Sequence, residues 1–112
     1  TNGVRRAAAI YFGKELESLT LAECASLISI TNNPSMYDPL RADWCREKNR
    51  ERQQLILSEM LAQGMIDQAT HDAAVAEEVV FTNGWTNQGN YVGVKDCRAA
   101  ALGGVNVGEC EP

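Results

Sequence analysis

The basic side chains in the middle of the chain are the residues best suited to chemistry. Five of the ten lysines and arginines lie between positions 41 and 52, beside three acids. Arg52 keeps its charge at any relevant pH, and its planar guanidinium matches the oxygens of a phosphate. The alternative is a solvated helix face, on which Lys48, one turn earlier, gives Arg52 no favourable pair. The residue types alone leave both interpretations open.

Asn32 is a second candidate, two residues before Pro34 in a polar segment. Its amide can donate a hydrogen bond to a ligand without adding charge. An asparagine at this place is equally suited to ending a helix in a turn. A role in binding and a role in chain geometry therefore both remain open for Asn32.

Patterns for other kinds of site are weak. No two cysteines have the C-x-x-C spacing of a zinc or redox site, and His71 is the single histidine. Glu23 is better explained as a helix-capping residue than as an acid catalyst. We therefore predict no catalytic residue and no metal site in this chain. The disulfide state of the cysteines stays open for all four: Cys24, Cys45, Cys97 and Cys110.

Length and composition limit the class of protein. The 112 residues make at most one domain, and a hydrophobic content of 45% is that of a globular protein. A net charge of −5 argues against nucleic acid as a partner. No apolar run approaches the roughly 20 residues that cross a bilayer. The chain starts without methionine, directly in a helical pattern, so we expect it to be cut from a longer protein.

The element that positions the candidate residues is a helix after Leu19. Thr20 and Glu23 form a capping box at its start, and apolar side chains then cover nearly every side of it. A helix of this kind is usually buried. It ends in the polar segment 31–35, which Pro34 prevents from continuing as helix. We expect a buried helix that holds a rigid loop carrying Asn32.

Three further helices complete the predicted fold, which is all-α with about four helices. The first contains Val4–Tyr11 and ends at Gly13; the third runs from about Ala42 to Gln63 and ends at Gly64. The fourth starts at an N-cap, Asp67, and reaches about Val79. We expect residues 1–82 to form the folded portion, and residues 83–112 an irregular or flexible glycine-rich tail.

Five motifs and their order resemble a known family. They are A-A-I-Y-F-G-K at Ala8–Lys14, L-T-L-A-E-x-A at Leu19–Ala25, N-N-P-S-x-Y-x-P at Asn32–Pro39, R-x-x-L-I-L-x-x-M at Arg52–Met60 and Q-G-M-I at Gln63–Ile66. Together they are similar to the C-terminal part of the peptidoglycan glycosyltransferase (transglycosylase) domain of class A penicillin-binding proteins and their monofunctional relatives. The resemblance covers about residues 3 to 80.

The resemblance implies a lysozyme-like helical glycosyltransferase domain on the extracytoplasmic face of the cell membrane. Such a domain polymerises lipid II: the growing glycan chain, held as a polyprenyl diphosphate, is the donor, and the 4-hydroxyl of incoming lipid II attacks it. The implied partners are lipid II, the growing chain, the membrane surface and the remainder of the same polypeptide.

The family's catalytic glutamates lie in E-D-x-x-F-x-x-H-x-G and R-K-x-x-E motifs, neither of which occurs here. The resemblance therefore implies that this chain is inactive alone. It implies no cofactor here, whereas a divalent metal is possible in the complete domain.

The resemblance carries over two site residues. Arg52 matches the first arginine of the family's R-R-x-x-V-L-x-x-M motif, and Asn32 matches a polar position at the lip of the donor groove. Both are implied to bind the donor's diphosphate and sugar. The second arginine of the motif is Gln53 here, so this position departs from the family's pattern. A different class, a small non-catalytic helical module that binds a partner, is the alternative function.

Overall fold

The computed structural model describes residues 2–94, and this part of the chain is all-α, as predicted. Its helices are α1 (Asn2–Phe12), α2 (Leu21–Asn32), α3 (Pro34–Tyr37), α4 (Asp43–Ala62) and α5 (Gln68–Ala76), with a single 3₁₀ turn at Leu16–Ser18. Five α-helices thus occupy the described range instead of about four. The extra one, α3, lies in the segment expected to be a loop, where Pro34 is its first residue.

The helix ends follow local chemistry. Thr20 Oγ1 accepts from the backbone N–H of Glu23, whose carboxylate accepts from the N–H of Thr20, so the predicted capping box is present. At the end of α4, Gly64 has a φ of 76°, its N–H donates to Leu61, and the N–H of Met65 donates to Met60. Only glycine adopts this left-handed conformation without strain, and it satisfies the last carbonyls of the helix.

Helix α2 is buried as expected, but its buried face includes polar side chains and one of its large apolar side chains is exposed. The polar side chains Glu23, Ser26 and Ser29 are buried, whereas Ile28 is 52% exposed. The buried polar groups have partners: Lys14 pairs with Glu23 at 2.9 Å, and Ser29 Oγ donates to the Ala25 carbonyl at 3.0 Å. Burial of these groups is tolerated because each is hydrogen-bonded.

Met36, in α3, is partly exposed to solvent. Its exposed fraction is 38%. The four-residue helix α3 has only one turn, so it cannot place all of its apolar side chains against its neighbours. Tyr37, the next residue and the last of α3, is half-buried.

The hydrophobic core brings the end of α1 against the chain that follows α5. Phe12, at the end of α1, packs on Phe81 with ring centroids 5.7 Å apart, and both rings are fully buried. Phe81 thus packs into the core although it lies beyond the last helix, α5. The remaining buried members are small or aliphatic: Ala22, Ala25, Leu27, Leu57, Ala74 and Val79.

The beginning of the glycine-rich region packs onto the helices. Antiparallel bridges join Val80 to Thr86 and Trp85 to Tyr91, and the backbone N–H of Thr82 donates to the carbonyl of Tyr11 at 3.0 Å. We call residues 80–94 the C-terminal turn segment. Packing therefore continues past residue 82. The domain division at that residue stays a prediction, and the rest of the expected tail, with Cys97 and Cys110, lies outside the described residues.

Gly84 provides a test of this packing. It has a φ of 88°, and a Cβ built there would lie 2.6 Å from the carbonyl carbon of Gly93. Gly89 has a similar φ of 84° but open space around it. Both substitutions to alanine incur the left-handed backbone penalty of about 1–2 kcal/mol, and Gly84→Ala adds an overpacking cost of roughly 1–3 kcal/mol.

We therefore expect Gly84→Ala to lower the free energy of unfolding in urea clearly more than Gly89→Ala. Equal losses for the two variants would show that the C-terminal turn segment does not pack as described.

Candidate functional site

Helices α2 and α4 form the wall on which the candidate residues lie. Gln53 Nε2 donates to the carbonyl of Ala22 at 2.9 Å and to Ser26 Oγ at 3.1 Å. One turn earlier on α4, Asn49 Nδ2 donates to the carbonyl of Ser26 at 3.3 Å. The later residue of α4, Gln53, contacts the earlier residue of α2, Ala22, so the two helices run antiparallel. Neutral amides on α4 therefore fix α2 in register.

Asn32 is the last residue of α2 and is exposed. This position agrees with either proposed role, because an exposed amide at a helix end can contact a ligand or solvent. The helix itself is closed by Asn33, whose backbone N–H donates to the carbonyl of Ser29 at 3.2 Å. The Asn32 side chain is thus not required for that closing bond.

Arg52 lies on α4 between the two amides that hold α2. The residue is half-buried, and its Nε is shielded from solvent without a hydrogen-bond partner among residues 2–94. No acid stands one turn away in either direction, where the neighbours are Lys48, Asn49, Leu55 and Ile56. The guanidinium is therefore a cation without a carboxylate partner in the described part of the chain.

The structure does not bring Arg52 and Asn32 into contact. Gln53 is level with the first half of α2, whereas Asn32 ends that helix, so the two candidates differ by about 10 Å along the axis at 1.5 Å per residue. A ligand that contacts both must be longer than one phosphate group. Their roles in binding remain predictions.

Gln53 has a structural place in this chain. Its side chain is fully buried and holds α2, so it does not face an open groove. The side chain at this position therefore contacts the neighbouring helix. The sequence carried no signal for this contact, because its partners are a backbone carbonyl and a serine far away in the chain.

The basic run at positions 41–52 is only partly a solvated face. Arg46 is 7% exposed, donates to the carbonyl of Pro39 at 3.3 Å, and lies 4.8 Å from the centre of the Trp85 ring. Arg50 donates to the carbonyl of Asn87 at 3.3 Å. Two of the five basic residues thus hold the C-terminal turn segment, through a cation–π contact and a hydrogen bond. Sequence reasoning missed both contacts.

The two cysteines in the described part of the chain, Cys24 and Cys45, have raised thiol pKa values. Burial raises the pKa of the Cys45 thiol above its usual value, and burial, with the nearby charge of Glu23, raises that of Cys24. Both thiols therefore stay protonated and weakly nucleophilic at neutral pH. Among residues 2–94, no three acidic, cysteine or histidine side chains are grouped as metal ligands. Over the same range, no helix has the length and apolarity to span a bilayer.

A solved structure shares this arrangement of helices. The crystal structure of penicillin-binding protein 1A from Haemophilus influenzae superposes with a TM-score of 0.60 and is 37% identical, over 67% of this chain and 11% of that one. With that identity, the likeness places this chain in the class of all-α transglycosylase domains, as a part of one.

Sequence comparisons give the family. The profile described as Transglycosylase matches residues 1–61. Penicillin-binding protein 1A of Pseudomonas aeruginosa is 39% identical over 77 residues, which are 69% of this chain and 9% of that protein. Penicillin-binding protein 1A of Neisseria gonorrhoeae is 40% identical over 79 residues, 70% of this chain and 10% of that protein. The chain belongs to the transglycosylase family, and it spans about a tenth of the length of these relatives.

The contact of Gln53 predicts the effect of its loss. Gln53→Ala removes two buried hydrogen bonds and leaves a cavity, so we expect the free energy of unfolding to fall by roughly 2–4 kcal/mol. Gln54→Ala, a matched change at the next, half-buried position, should change it by less than about 1 kcal/mol. Urea unfolding of the two variants measures the difference. A silent Gln53→Ala would contradict the structural role of this side chain.

Proposed function

We propose that the complete protein polymerises lipid II into the glycan strands of the bacterial cell wall, on the extracytoplasmic face of the cell membrane. Residues 1–82 supply part of the wall of the donor site. The donor is the growing chain on its polyprenyl diphosphate, and the 4-hydroxyl of lipid II displaces the lipid diphosphate from the anomeric carbon. Family membership supports the reaction. The wall formed by α2 and α4 supports the assignment of part of the donor site to this chain.

The guanidinium of Arg52, which has no carboxylate partner among residues 2–94, is the observation that carries the assignment of the donor site. A half-buried arginine without a carboxylate partner is costly unless it serves an anion, because burial removes part of its hydration. The diphosphate of the donor is such an anion. Arginine binds phosphate oxygens in a bidentate manner and offsets the charge that builds up as a diphosphate leaves.

Asn32 has the complementary role at the other end of the wall. Its exposed amide donates to an oxygen of the sugar or the diphosphate, and being neutral it does not compete with Arg52 for the charge. A sugar diphosphate is longer than a single phosphate, which agrees with the axial offset of the two residues. The neutral Asn32 acts as a ligand contact, while Arg52 carries the electrostatic effect.

The bond-making groups belong to another part of the protein. Three glutamates near the ends of α2 and α5 are hydrogen-bonded: Glu23 caps α2, Glu77 accepts from Thr20 Oγ1 at 2.7 Å, and Glu78 accepts from Asn90 Nδ2 at 2.6 Å. The glutamates of α4 itself, Glu47, Glu51 and Glu59, are exposed to solvent, and Glu51 pairs with Lys48. The base, and any divalent metal on the diphosphate, are therefore assigned to the remainder of the polypeptide.

Replacement of Arg52 in the complete protein tests the donor site. We expect Arg52→Ala to lower the rate of lipid II polymerisation at least about tenfold, because a hydrogen bond to a charged group is worth roughly 1.5–3 kcal/mol. Arg52→Lys keeps the charge but not the fork, so its rate should be intermediate. Lys48→Ala is the matched control, since it removes one exposed cation from the same helix. Near-normal polymerisation by Arg52→Ala would reject the donor-site role.

The assignment of the base to another part of the polypeptide has its own test. The isolated 112 residues should produce no glycan strands from lipid II, measured by gel analysis of labelled product over hours. The complete protein is the positive control. Turnover by the isolated chain would place the general base within it and would overturn this division of labour.

A further inference from the structure

Asn49 joins three elements of the wall at one buried point. It lies on α4, is fully buried, and its Nδ2 donates to the carbonyl of Ser26 in α2 at 3.3 Å and to the carbonyl of Tyr37 at the end of α3 at 2.9 Å. Both partners are carbonyls, which only accept, so the donor end of the amide is the end that faces them. One side chain thus holds both ends of the segment from Ser26 to Tyr37, and this segment includes Asn32.

Asn49 also stands three residues before Arg52 on the same helix, so the two share one side of α4. The Asn49 amide therefore fixes the position of α3, and of the end of α2, along the axis of the helix that carries Arg52. Gln53 makes a similar contact on the other side of Arg52, but only to α2, at Ala22 and Ser26. The two amides differ in one respect: Asn49 alone of the pair reaches α3.

We propose that Asn49 is a positioning residue of the donor site, which sets the distance between the Asn32–Tyr37 segment and the guanidinium of Arg52. This inference rests on the proposed function. It assigns Asn49 no contact with the donor: the side chain acts through the backbone of Tyr37. A change at Asn49 displaces the segment and so weakens binding of the donor.

An amide is required for this task. Aspartate would present oxygens, ionised at neutral pH, to two carbonyl oxygens and would place a negative charge one turn from Arg52. Leucine has a similar volume but cannot donate. The Oδ1 atom of Asn49 accepts no hydrogen bond from residues 2–94, so only the Nδ2 end of the amide has partners there. The two donated bonds account for its presence.

The test compares Asn49→Leu with Gln53→Leu in the complete protein. Each variant removes a buried amide from α4 that donates to α2, but only the first loses a contact with α3. We expect Asn49→Leu to raise KM for the donor about fivefold, the equivalent of one net hydrogen bond, with a smaller change in kcat. Gln53→Leu should lower Tm comparably and leave KM within about twofold. Arg52→Ala is measured beside them.

Hydrogen exchange supplies a readout that does not depend on activity. The amide protons of Tyr37 and Asp38, bonded to the carbonyls of Asn33 and Pro34, should exchange faster in Asn49→Leu than in Gln53→Leu. If Asn49→Leu does not fold, Asn49→Ser, which keeps one short donor, replaces it in both measurements.

The outcomes separate the two proposals. A rise in KM and faster exchange at α3 for the Asn49 variant alone support the positioning role. Equal changes in both variants, or a loss of Tm without a change in KM, reject it even where Arg52→Ala is strongly impaired. A silent Arg52→Ala rejects the donor site itself.

Discussion

The structure depends on the hydrogen bonds by which neutral amides of α4 hold α2. A helix as apolar as α2 could slide along its partner, because apolar contacts are not directional. The bonds of Gln53 and Asn49 to Ala22 and Ser26 remove that freedom, since each is made in one register only. They are buried, and a buried donor that loses its partner is costly. The position of α2 on α4 is therefore fixed by directional hydrogen bonds as well as by buried apolar area.

The C-terminal turn segment provides a second constraint on the same helix. Trp85 and Asn87 engage Arg46 and Arg50, while Thr82 bonds to the carbonyls of Ile10 and Tyr11 in α1. One segment thus ties the first helix to the first half of α4. The basic residues at positions 41–52 therefore have different roles: Arg46 and Arg50 hold this segment, whereas Arg52 makes no hydrogen bond to it among the described residues.

Local features could be predicted from the sequence, and features that depend on distant chain could not. The capping box at Thr20, the N-cap at Asp67 and the glycine stop at Gly64 are each encoded within a few residues, and the helix ends lie there. The burial of Arg46 and the place of Gln53 depend on partners far along the chain, which no periodicity encodes. For the candidate site, residue type indicated Arg52 and Asn32, but only the register of α2 on α4 gave their offset.

The choice of amides rather than acids beside Arg52 has an electrostatic consequence. An acid at position 49 could accept hydrogen bonds and pair with Arg52 from one turn away, as helical ion pairs do. It would then neutralise the cation that the proposed donor site needs. Asn49 and Gln53 instead fasten α2 through donors alone, and they add no charge. In the proposed donor site, the same stretch of helix therefore holds the wall rigid and leaves its positive charge to an incoming diphosphate, whose attraction to it grows where water is excluded.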